Sequence, residues 1–136
     1  MRWLRWFLAG AAAVPAFHQL ALAVLYASAI VARQPFSMEP TRPFGVPQVI
    51  SLAFWGGVWG LILGLILLRR TSGAAFWLTA LVFGAIAPTL VAIFVAAPLK
   101  GQPAGGGATA FLIGGLLNGA WGTGTAAFYR VWSGRS

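Results

Sequence analysis

A chain of 136 residues that is 60% hydrophobic and 7% charged has too little polar surface to cover a core in water, which excludes a soluble domain. Its net charge of +8, nine Lys and Arg against the single acid Glu39, is spread in pairs and singles at the ends of apolar runs, which excludes a nucleic-acid-binding face. There is no Cys, so disulfides, thiolate metal sites and a Cys nucleophile are excluded as well.

The first apolar run, Trp6 to Val31, follows Arg2 and Arg5 as a secretory signal would, but at twenty-six residues it exceeds the roughly 7–15 of a signal-peptide core. It reads as a retained signal-anchor and first span. Pro15 should kink it and free the carbonyl of Ala11. The loop from Ala32 to Gln48 carries Pro35, Pro40, Pro43 and Pro47, which remove backbone donors and impose extended or turn geometry.

The second run, from Val49 to Leu68, holds no charge and ends at Arg69 and Arg70. A rise of about 1.5 Å per residue carries such a helix across a hydrocarbon core about 30 Å thick. Gly56, Gly60 and Gly64 recur every fourth residue, a smooth stripe on which another helix can pack closely. A tight turn at Arg69–Gly73 leads to a third span over about 74–97. Its small residues Ala80, Gly84, Ala92 and Ala96 keep a spacing of four, and Pro88, in the missing slot, should kink it and release the carbonyl of Gly84. After a Pro/Gly turn containing Lys100, a fourth span over about 108–129 offers Gly115, Gly119 and Thr123, with a second row of Gly114, Asn118 and Gly122 beside it. The segment GVWG at Gly57–Gly60 recurs as GAWG at Gly119–Gly122, each in the second helix of a hairpin, so duplication of a hairpin and chance similarity of Gly/Trp-rich helices both stand open.

The fold class is therefore all-α: one domain, a membrane-spanning up-down four-helix bundle. Arg2, Arg5, Arg69, Arg70, Arg130 and Arg135 flank one set of span ends, against Arg33, Arg42 and Lys100 at the other, so both termini are expected in the cytoplasm. Trp3, Trp6, Phe76, Trp77, Phe128, Tyr129 and Trp132 would form the inner aromatic belt, and Phe36, Phe44, Phe94 and Phe111 the outer one.

Few residues offer chemistry. His18 is the only His and sits inside the first span, where an ionisable group points to function by default. It fits a proton relay, an axial ligand to a haem or chlorophyll, or an interhelical hydrogen bond to Asn118, Gln19 or a carbonyl freed by a proline. A bis-His haem would need a second His from another chain, and Val14 stands where light-harvesting helices place an Ala four residues before the ligand. With Gln19, Asn118 and Thr89, His18 forms a candidate midplane polar site; interhelical glue is the alternative reading. Phe36, Glu39, Arg42 and Phe44 make the first outer loop a candidate docking surface, unless Glu39 simply pairs with Arg33 or Arg42. Gly56, Gly60, Gly64, Gly115 and Gly119 are the expected helix-packing positions. No carboxylate pair exists, and Ser28 or Ser51 with His18 would lack an orienting acid, so neither an enzyme nor a bound cofactor or metal is expected.

Small multidrug-resistance transporters are similar in size but carry a Glu in the first span, where this chain has His18; fluoride channels are similar in size and loosely in NGAWG around Asn118. AFHQ at Ala16–Gln19, PFSMEPTRPFGVP at Pro35–Pro47 and SLAFWGGVWG at Ser51–Gly60 more closely resemble a family of small four-helix integral membrane proteins of proteobacteria. That resemblance covers the first half of the chain and implies residence in a bacterial inner membrane, without implying an activity. The expected function is an accessory or assembly subunit of a membrane complex; the alternative is a homo-oligomeric transporter or channel for a small solute. The expected partners are the lipid bilayer and either further copies or a larger membrane-protein complex.

Overall fold

The computed structural model describes residues 1–69 and 72–134. Arg70 and Arg135, which belong to the charge pattern above, lie outside the described residues. Four long helices account for most of the chain: α1 (Arg2–Ala27), α2 (Gln48–Arg69), α3 (Ala74–Leu99) and α4 (Gly107–Ser133). Two two-residue strands, β1 (Pro40–Thr41) and β2 (Val46–Pro47), pair antiparallel between α1 and α2.

Three of these helices, α1 to α3, are long and apolar enough to cross a membrane. Of the four expected spans, α4 is the one that does not reach the apolarity of the others. It is long enough at 27 residues, but glycines, threonines and Asn118 dilute its hydropathy. It packs along both α1 and α3 and buries Leu117, Trp121, Thr125, Ala126 and Tyr129.

Spatial order differs from chain order. The close pairs are α1 with α2, α3 with α4, and α1 with α4, whereas α2 and α3 approach through their backbones chiefly beside the turn that joins them. Glycine causes the two intra-hairpin pairings. A methyl at Gly10 would strike the carbonyl of Gly56 and stand 2.9 Å from the Cα of Gly60. Gly64 lies under the indole of Trp6, and Gly57 under the ring of Phe7. In the second hairpin Gly84 sits against the backbone of Asn118 and Gly122. Gly115 and Gly119 also face α3: a methyl on Gly115 would meet only the Ala85 carbonyl, at 3.5 Å, and one on Gly119 would stand 3.1 Å from the flexible end of the Leu81 side chain. The tighter row on α4 is thus Gly114, Asn118 and Gly122.

Aromatic residues close the α1–α4 seam. Trp6 stacks on Tyr129 with centroids 3.7 Å apart, and Phe17 lies edge-on to Phe128 and over Gly124. Trp6, Phe76 and Tyr129 are buried to within 6% exposure or less, so three of the expected inner-belt aromatics are core residues instead. Arg130 covers this end, its guanidinium 5.5 Å from the Phe76 ring centroid and 5.6 Å from that of Trp77.

Neither proline breaks its helix. Around Pro15 one wide turn, Val14–His18, absorbs the missing donor, with Gln19 N–H bonded to Val14 O. In α3 the wide turn Ala92–Ala96 comes one turn after Pro88. The small-residue row of α3 is accordingly buried at Ala80, Gly84 and Pro88, while Ala92 is exposed.

Candidate functional site

The four residues expected to share one midplane spot form two separate pairs. Gln19 Oε1 accepts the Phe36 backbone N–H at 2.7 Å, and Gln19 Nε2 donates to His18 Nδ1 at 3.1 Å. Because the N–H of Phe36 requires an oxygen opposite it, the Gln19 amide is oriented, and His18 Nδ1 must accept. The proton of the ring therefore sits on Nε2. On α4, Asn118 Nδ2 donates to Thr89 Oγ1 at 2.9 Å, and Thr89 is buried against Gly114.

Gly10 faces the middle of α2, between Gly56 and Gly60. His18 lies eight residues further along α1, about 12 Å outward at the helical rise. Asn118, whose carbonyl faces Gly84, stands near the middle of α4. α1 runs from Arg2 to Ala27, so its centre falls at Val14–Pro15, about one turn before His18. Gln19 also anchors the loop between α1 and α2.

That loop is held at several points. Gly45 N–H bonds to Thr41 O at 2.7 Å, and Thr41 Oγ1 donates to Val46 O at 2.8 Å, closing the turn between the strands. Gln48 N–H bonds to Glu39 O and Val49 N–H to Ser37 O, so the first turn of α2 takes its missing acceptors from the ribbon. Glu39 serves this frame through its backbone, while its side chain is exposed. Phe44, at the tip, is 88% exposed, and Phe36 and Met38 are exposed as well. The candidate docking residues Phe36, Glu39, Arg42 and Phe44 thus lie together on one anchored ribbon with its single apolar tip outward.

Sequence reasoning missed three residues. Met38 belongs to the exposed face of the ribbon. Gly10, the one glycine of α1, sits at the α1–α2 crossing. Trp121 Nε1 donates to Gly10 O at 2.9 Å, joining α4 to that crossing. The signal lay in Pro15. It deprives Ala11 O of its donor; Val14 N–H bonds Ala11 O instead, and the open acceptor moves back to Gly10. No family model, curated protein or solved structure matches this chain.

Proposed function

We propose that this protein is an integral membrane protein, a four-helix bundle of the bacterial inner membrane with both termini cytoplasmic, acting as an accessory or assembly subunit of a larger membrane complex. The observation that carries the reading is the outer ribbon: a loop braced by backbone hydrogen bonds and by Gln19, displaying Phe44 at 88% exposure next to Arg42. Ordering a loop costs about 1–2 kcal/mol per residue, and doing so to hold an aromatic outward favours recognition over mere connection. The exposed apolar faces of α2 and α3 supply lipid contact, and the cationic ends supply orientation.

The test is purification from native membranes in mild detergent, with the copurifying chains identified by mass spectrometry. A stoichiometric partner recovered with the wild-type chain and lost with Phe44→Ser is expected. Recovery alone, only as copies of itself, or with a partner indifferent to Phe44→Ser refutes the docking role. Orientation is read separately: in intact spheroplasts an impermeant thiol reagent should label Phe44→Cys and leave Ser72→Cys unlabelled.

A further inference from the structure

The two hairpins, α1–α2 and α3–α4, cross in the same way. Gly10 abuts the carbonyl of Gly56 and lies, at its Cβ position, 2.9 Å from the Cα of Gly60; Gly84 abuts the carbonyl of Asn118 and lies likewise 3.0 Å from the Cα of Gly122. The return contacts also match. Gly60 faces the Trp6 carbonyl and Gly10 Cα at 3.0 Å, and Gly122 faces the Ala80 carbonyl and Gly84 Cα at 3.1 Å. These contacts set Gly10 equivalent to Gly84, and Gly60 to Gly122. In that register Trp3, Leu4, Gly10, Ala11 and Ala13 recur as Trp77, Leu78, Gly84, Ala85 and Ala87. Gly57, Trp59 and Gly60 recur as Gly119, Trp121 and Gly122. A proline follows each crossing glycine by about a turn, Pro15 in α1 and Pro88 in α3.

The equivalence pairs two tryptophans with two carbonyls. Trp121 reaches from α4 to donate to Gly10 O, and its Nε1 would stand 3.2 Å from a Cβ on Gly56. Trp59 reaches from α2 toward α3, with its ring edge-on to Phe83 at 5.9 Å, one residue before Gly84. Pro88 has no N–H to give Gly84 O, which is therefore the counterpart of the carbonyl that Trp121 holds. Yet the packing is unequal: α1 and α4 are closed together, and α2 and α3 are not. The two hairpins differ at the matching position. Where the first hairpin has Gly56, open to the indole, the second has Asn118, whose side chain is tied to Thr89.

We infer that the four helices have two packings. In the one described above, Trp121 is docked on Gly10 and the α1–α4 seam is closed. In the other, Trp59 donates to Gly84 O and α2 closes on α3, and the Asn118–Thr89 hydrogen bond is the latch that opposes it. Two packings of similar hairpins about a quasi-twofold relation are bistable because interlocked surfaces slide between registers and do not deform continuously. The inference is independent of the docking role; it gives the α2–α3 side, which continues into the ribbon through Gln48, two shapes.

The natural absence of Cys makes the test direct. Spin labels at Gln48→Cys and Leu99→Cys, near the outer ends of α2 and α3, report their separation by pulsed electron resonance in the full chain in lipid nanodiscs. Thr89→Val, which removes the acceptor held by Asn118, should raise a shorter-distance population about threefold, the change that corresponds to one membrane hydrogen bond of about 0.6 kcal/mol. Asn118→Gly, which also clears the space, should raise it further. Adding Trp59→Phe to either variant removes the indole donor and should abolish the short distance. One unchanged distance in all of these variants, or a short distance that persists with Trp59→Phe, overturns the inference.

Discussion

Gly10→Ala tests how closely α1 and α2 approach. The added methyl would lie 2.9 Å from Gly60 Cα and closer still to the Gly56 carbonyl. Both obstacles are backbone, so no side chain can swing aside and the helices themselves must separate. Overpacking of this kind costs about 1–3 kcal/mol. Against it, Ala is the better helix former by about 1 kcal/mol. The obstacle's rigidity places the cost in the upper part of its range, leaving a net loss of about 1–2 kcal/mol, roughly a 5–30-fold fall in the folded-to-unfolded ratio. Gly115→Ala is the control, because its nearest neighbour is the Ala85 carbonyl at an ordinary 3.5 Å. It should be neutral or stabilising by up to about 1 kcal/mol. The assay is reversible unfolding by SDS titration in mixed micelles, followed by tryptophan fluorescence. If Gly10→Ala proves as stable as Gly115→Ala, the α1–α2 crossing is not the close backbone contact described, and the argument from glycine fails.

Other outcomes follow from the same geometry. Gly84→Ala should cost about as much as Gly10→Ala, since its Cβ would meet the Asn118 carbonyl and Gly122 Cα in the same manner. Trp121→Phe keeps the ring and loses the bond to Gly10 O, so the SDS midpoint should fall by the equivalent of about 0.5–1.5 kcal/mol; an unchanged midpoint would mean that the carbonyl is satisfied otherwise. Gln19→Leu removes the acceptor for Phe36 N–H, and faster deuterium exchange at Phe36 with unaltered exchange in α3 is expected. Gly60→Leu should disrupt the hairpin outright, because its Cβ position already meets the Trp6 carbonyl and Gly10. A wild-type elution profile in detergent for Gly60→Leu would show that the glycine stripe is not an interface.

The legible parts of this chain were those with a local cause. Apolar runs bounded by Arg and by Pro/Gly clusters located α2 within a residue at each end, and the four prolines of the first loop kept it extended. The stripe Gly56, Gly60, Gly64 identified the contacting face of α2, because a spacing of four returns to one side of a helix. In the first loop Phe36, Glu39, Arg42 and Phe44 are neighbours in sequence and so necessarily near in space.

Tertiary structure decided what depends on a partner. The two small-residue rows of α4 are adjacent on its surface, and only its place between α1 and α3 makes Gly114, Asn118 and Gly122 the tighter one. His18 and Asn118 are each compatible with one shared polar site when judged from their own helices; the fold pairs His18 with Gln19 and Asn118 with Thr89, and no residue within either helix records that choice. Local pattern determines which segments are helices and which faces are smooth, since those follow from period and side-chain size. Which smooth faces meet, and at what level, is a comparison among all four helices at once, and it is settled where the backbones of Gly10 and Gly84 find the closest fit.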